Sequence, residues 1–308
     1  MSAIAVLDAL MRTHDDRPDE AIAQLPALLA SPDLPAASLP RAAWLANHLL
    51  GEKKGDWRGA WALLKRLPLV EAGPVLLRHC AVAATLAGDA LGSWRLERQW
   101  LAGGANAECV RLALRLGVLQ GAQLATPLPE LLTEFSTLLA ALELCEAGEL
   151  DAALASLLTN IVSALLERGE LDIRDPSCAE TLSSGARIAR LLWGRAGNWV
   201  NHERAEYLLA LTANRFERWP DGLRAADAGL ALIAANGEED VDRAFLLLER
   251  TRALRGRAAK RRRKRLMARR RRWRHPSPPI CGRGSTIARG GQKESRLWPA
   301  REATKVRA

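Results

Sequence analysis

Side chains able to bind a metal or attack an electrophile are few in this chain and widely spaced. The five histidines stand at 14, 48, 79, 202 and 275, and the five cysteines at 80, 109, 145, 178 and 281. Ligation needs donors that converge, as in HExxH or paired CxxC motifs, and neither motif occurs. His79 and Cys80 are adjacent, which on a helix turns their side chains about 100° apart. There is no GxSxG nucleophile elbow. Gly282-Arg283-Gly284-Ser285-Thr286 is glycine-rich but lacks the lysine of a phosphate-binding loop. The carboxylate runs Asp15/Asp16 and Glu238/Glu239/Asp240 fall at helix starts, where the positive dipole end accounts for them. The expectation is a non-enzymatic chain with no catalytic, cofactor or metal site.

Charge divides the chain near residue 254. Residues 1–254 carry 25 Lys+Arg against 33 Asp+Glu, a balance of −8, whereas residues 255–308 carry 20 against 2, a balance of +18. An acidic, Ala/Leu-rich body (1–254) is therefore joined to a polycationic tail (255–308). Cysteine intervals of 29, 36, 33 and 103 residues fit buried thiols in a reducing compartment better than a disulfide framework. Met1–Asp16 has no basic leader, and no apolar run reaches the roughly 18 residues of a membrane span. A cytoplasmic protein without a membrane span is expected.

The elements that must position any site are helices. With one Tyr and three Phe among 308 residues, the composition is poor in strand formers and rich in Ala, Leu, Arg and Glu. Caps and breaks predict about thirteen helices. Asp16 is the expected cap of a helix opening at Pro18 and crossing Pro26. The spacing then predicts helices over 41–50, 57–67, 75–87, 90–102, 106–120, 130–147, 150–168, 177–196, 199–216, 220–235 and 240–254, with Gly51–Gly55 as a turn.

One pattern recurs just after the turn that opens the second helix of a pair. It reads Pro18-x-x-Ala21-Ile22, Trp57-x-x-Ala60-Trp61, Ala90-x-x-Ser93-Trp94, Leu150-x-x-Ala153-Leu154 and Trp219-x-x-Gly222-Leu223. Starting positions differ by 39, 33, 60 and 69 residues, and the last two are close to twice a unit of about 34. On these residues the body resembles the tetratricopeptide repeat family. The match is best over 203–236, with Ala210, Gly222 and Gly229 at small positions, and second over 134–167, with Ala141, Leu144, Ala153 and Leu157. Glu206 and Ala226 depart from it, standing where large residues are usual. An irregular helical array is the alternative.

The resemblance implies an all-α solenoid of antiparallel helix pairs, a superhelix whose concave face grips a partner peptide or helix. In the best unit that face would present Arg204, Tyr207, Leu211 and Asn214. The expected partner is another protein. The lysine–asparagine set of chaperone-binding members is not found. Of the ten tryptophans, packing between helices is the favoured reading and a peptide groove the other.

Residues 255–274 hold 13 Lys/Arg and no acid. Arg261, Arg262, Arg263, Lys264 and Arg265 form one run, and Arg269, Arg270, Arg271 and Arg272 another. This run can extend the last helix, while the Pro/Gly/Ser-rich remainder is expected to be disordered. Three readings stay open: non-specific nucleic-acid binding, attraction to anionic lipid or to the acidic body, and a frame-shifted or non-native extension.

Overall fold

The computed structural model describes residues 2–143, 148–237 and 239–274, with side chains through residue 268. The expected disordered region beyond Arg274 lies outside the described residues. Among those residues the backbone forms thirteen α-helices and no strand. They are α1 (Ala3–Thr13), α2 (Pro18–Leu29), α3 (Leu39–Ala46), α4 (Trp57–Leu64), α5 (Pro74–Leu86), α6 (Ala90–Ala102), α7 (Ala107–Ala122), α8 (Leu128–Glu143), α9 (Asp151–Glu167), α10 (Pro176–Ala196), α11 (Trp199–Arg215), α12 (Trp219–Asn236) and α13 (Asp240–Arg274).

Six helices begin where a short polar side chain takes up free N–H groups. Asp56 accepts from Gly59 N at 2.8 Å and Asp89 from Gly92 N at 2.8 Å. Asn106 caps α7, and Asn198 and Asn201 form a reciprocal capping box on α11. Helix α2 differs from expectation. Its cap is Arg17, without a side-chain bond, and Pro18 and two acids in the first turn suit the N-terminus instead.

A larger difference follows α3. The helix does not stop at Gly51 but widens into a π-helical turn, Asn47–Lys53, and the chain reverses at Gly55, whose φ is +70°. Gly51 is a point of close approach, because a side chain there would strike the Trp57 ring.

Most consecutive helices pack on one another, and several also pack on the next but one. Contacts α3–α5, α5–α7, α7–α9 and α9–α11 line the odd-numbered helices up in one row. Within it, neighbours run parallel. Gly117 and Gly121 of α7 lie against Val82 and Leu86 of α5. Arg204, Tyr207 and Asn214 of α11 meet Asp242, Phe245 and Glu249 of α13. The offset is 35 residues at Val82/Gly117, at Leu86/Gly121 and at Asn214/Glu249. Consecutive helices run antiparallel, as Asp151–Arg195 and Thr159–Trp193 show for α9 and α10.

The 203–236 unit coincides with the hairpin α11–α12. The 134–167 unit does not hold as a pair. Its second half, α9, stands in the row of α3, α5, α7 and α11, the place of a first helix, and packs on α10. The small residue after the turn at Ala153 is satisfied by an Ala-rich composition without fixing which member of a hairpin the helix is.

One apolar core runs from Ala3 to Phe216, with Leu7, Leu25, Leu49, Leu116, Phe135, Leu158 and Ile161 fully buried. The recurring small residues serve it: Ala21 and Ala60 are buried, and Gly222 admits the Asn214 side chain. The Gly148–Glu167 stretch, 20 residues of mean hydropathy 1.4, is long and apolar enough to cross a membrane by length and composition, against the expectation from apolar runs. Here its Leu154, Leu158, Ile161 and Val162 are core residues. Helix α13 passes Leu254 without a break and continues to Arg274, through strong helix formers with acids at its start and cations at its end. The compact unit extends to Arg261 rather than ending at the charge boundary.

Candidate functional site

The face expected to hold a partner is largely taken by the chain itself. Arg204 Nε is 2.9 Å from Asp242 Oδ2, and the Tyr207 ring lies 5.8 Å from that of Phe245. Leu211 is half-buried against the core. Asn214 is 2% exposed and donates both to the Glu249 backbone carbonyl and to its carboxylate at 2.9 Å. Of these four residues Asn214 is buried, Tyr207 and Leu211 are half-buried, and Arg204 is exposed. A thirteenth helix in the same row covers that edge of α11, so Asn214 joins two helices and is not available to a partner. Glu206, at a position expected to be large and apolar, is neutralised by Arg190 at 2.7 Å.

The row of odd helices offers a different site. A narrow cleft of about 70 Å³ is lined by Trp44, Asn47, Glu52, Trp57, Arg78 and His79, with Gln120, Ser156 and Asn160 opposite. These side chains come from α3 and its π-turn, α4, α5, α7 and α9. The positive group in it is Arg78. Its guanidinium donates to the Ala153 carbonyl at 3.4 Å and has no carboxylate partner among the described residues. Burial holds its pKa below the usual arginine value. His79 is pushed down to about 3, by burial and then by Arg78, so it is neutral and adds no charge. The carboxylate of Glu52 is engaged by His48 at 2.8 Å and Gln120 at 3.0 Å. Asn47 donates to the His79 carbonyl at 2.9 Å, and its own side-chain oxygen is buried without a partner. The cleft thus presents a partly desolvated cation among amides, a hydroxyl and the Glu52 carboxylate, with two indoles in its lining.

The other tryptophans are mostly packing groups, the favoured reading. Trp61 Nε1 donates to Asp89 at 2.9 Å, Trp193 Nε1 to Thr159 at 3.3 Å, Trp100 is buried, and Trp219 covers Gly256. Among the described residues Trp94 is the exception, at 56% exposed.

Arg261, Arg262, Arg263, Lys264 and Arg265 are all exposed on α13, with no ion pair among the described residues. The side chains of Arg269, Arg270, Arg271 and Arg272 lie outside the described residues. Cys80 and Cys178 are free and buried, as expected of structural thiols, and burial pushes Cys80 up to about 12. Cys109 departs from that expectation, being disulfide-bonded.

The histidines are not all isolated. His14 and His48, distant in sequence, come together with Asp15. The cleft residues and this cluster both escaped sequence reasoning. The readable signal was the i, i+4 pair His48/Glu52 beside Trp44. No family model, curated protein or solved structure matches the chain.

Proposed function

We propose that the chain is a non-enzymatic interaction scaffold of tetratricopeptide-like helix pairs, working in the cytoplasm. It binds a segment of a partner protein along the row of α3, α5, α7 and α9. Support for the repeat comes from the 35-residue offset seen between α5 and α7 and at Asn214/Glu249 between α11 and α13, close to the helix-pair length of about 34 residues.

The observation that carries the binding reading is Arg78. A guanidinium held in a cleft with no carboxylate in ion-pair contact among the described residues has lost water and gained no charge partner, and a carboxylate supplies one in bidentate geometry. The cleft of about 70 Å³ fits an Asp or Glu side chain or a chain-terminal carboxylate, and Trp44 and Trp57 offer flat apolar surface to the residues beside it.

Selection from a random peptide library on the full-length protein, run beside Arg78→Ala, tests this reading. Wild type is expected to enrich peptides with a fixed acidic residue or carboxyl terminus, and the variant to lose them. Enrichment of the same peptides by both proteins refutes the site.

A second reading rests on the five exposed, unpaired cations of 261–265. These suit non-specific contact with nucleic-acid phosphates, whose affinity derives from released counterions.

A further inference from the structure

We propose that His14, Asp15 and His48 form a site for a divalent transition metal of the zinc class, with Glu52 as positioning carboxylate and Lys53 as the cation a metal displaces. His14 closes α1, Asp15 follows it in the turn to α2, and His48, Glu52 and Lys53 all lie on the π-helical turn Asn47–Lys53. Turns of this kind are rare and often mark functional positions.

The hydrogen bonds determine which nitrogen each ring offers. His14 Nδ1 is 3.0 Å from the Met11 carbonyl oxygen, which can only accept, so the proton sits on Nδ1 and the Nε2 lone pair is free. His48 Nδ1 is 2.8 Å from Glu52 Oε2, which fixes the same tautomer. Both Nε2 atoms then face one carboxylate. His14 Nε2 is 3.6 Å from Asp15 Oδ2, and His48 Nε2 is 3.8 Å from Asp15 Oδ1. One donor atom from each of the three residues lies within 4.8 Å of the others. Two imine nitrogens and a carboxylate are all acceptors, so a cation or a ring proton must stand among them. Lys53 Nζ, 2.6 Å from Asp15 Oδ1, supplies positive charge from one side only.

A tetrahedral ion bound at about 2.0–2.1 Å sets its donors roughly 3.4 Å apart. Reaching that spacing from donors up to 4.8 Å apart takes up to about 1.4 Å of movement, and Asp15, 72% exposed in its side chain, is free to move. The rings are already held. Trp44 stacks on His48 at 5.0 Å and 7°, and His14 meets both rings edge-on at 5.6 and 5.3 Å. Behind His48, Glu52 takes a hydrogen bond from Gln120 at 3.0 Å, the carboxylate–histidine arrangement that orients metal ligands. Two imidazoles and one carboxylate leave a coordination position open to water or to a partner's side chain.

The test is a Co²⁺ titration of the full-length protein, followed by its visible ligand-field absorption, with Zn²⁺ as competitor. One ion per chain is expected for wild type. Asp15→Asn, at an exposed position, and His48→Ala are expected to lose it while far-UV circular dichroism stays unchanged. Glu52→Gln should weaken binding by about 10-fold or more, the usual effect of removing such a carboxylate. Lys53→Ala should tighten it by removing the competing ammonium. Absence of binding by wild type overturns the proposal, as does an ion retained by both Asp15→Asn and His48→Ala. Unchanged affinity in Glu52→Gln or Lys53→Ala overturns the role given to that residue.

Discussion

Replacing Glu203 by Gln should remove a pH dependence that this one side chain imposes on folding. Glu203 lies on α11, is 0% exposed, and sits beside the Asp242 carboxylate, which accepts a hydrogen bond from Glu203 only when Glu203 is protonated. The nearest cation is Arg204, whose Nε is 3.6 Å away and is committed to Asp242 at 2.9 Å. Burial, then the neighbouring Asp242, pushes the Glu203 carboxyl from 4.5 up to about 8. Between those values the folded protein keeps a proton that the unfolded chain has released. The stabilisation is complete below pH 4.5 and is lost as pH rises to about 8. At 1.36 kcal/mol per pH unit, the loss between pH 5 and pH 7 is about 2–3 kcal/mol from this group. Gln has the same shape and no proton to lose. Urea unfolding followed by circular dichroism at pH 5, 6, 7 and 8 should show wild type losing about 2–3 kcal/mol relative to Glu203→Gln across pH 5–7. Groups that titrate alike in both proteins cancel in this difference. A difference that stays constant over the range would refute the reasoning, because it would mean that the folded protein holds Glu203 ionised.

Other perturbations test separate parts of the structure. Gly222→Ala places a methyl against Asn214 Oδ1 and disturbs its bonds to Glu249, so chemical unfolding should report a loss of about 1–3 kcal/mol. Asn198→Ala removes the capping box of α11 and should cost about 1 kcal/mol by the same measurement. Alanine at Arg261, Arg262, Arg263, Lys264 and Arg265 together should flatten the salt dependence of duplex binding by about 0.9 in log–log slope for each phosphate that is no longer neutralised. An unchanged slope removes these five residues from any nucleic-acid role.

Helix content and most helix ends were legible because they depend on neighbours in sequence. Ala90–Ala102 falls where Asp89 and Gly103 place it, and Asn106 caps α7 as its position before the helix implies. What failed depends on contacts across helices. Gly51 read as a stop but is a bed for Trp57, and Asn214 read as a surface residue but is a tie to α13. The 134–167 pairing failed for a related reason. A small residue after a turn records close packing without saying which neighbour is close. Arg78 gives no sequence signal of its own, since a cationic residue on an Ala/Leu helix is ordinarily solvated. Only the positions of α7 and α9 enclose it.

Packing between helices about one unit apart, which hid these sites from the sequence, also creates them. Parallel helices one unit apart bring side chains into register across the row, as Asn214 and Glu249 are. His14 and His48 are 34 residues apart, within one residue of that repeat, and they meet where the first unit adjoins the second. From there a polar chain runs on through Glu52 to Gln120 and Asn160, reaching the third and fourth members of the row beyond α1. The metal-ligand cluster and the Arg78 cleft therefore share Glu52, whose two oxygens face one site each. Occupancy of the first site fixes His48 and with it the Glu52 carboxylate, which sets how Gln120 and Asn160 are presented to a carboxylate bound at Arg78. On this geometry Glu52→Gln should alter peptide selection at the cleft as well as Co²⁺ affinity. Arg78→Ala, which touches neither histidine, should change the first and leave the second intact.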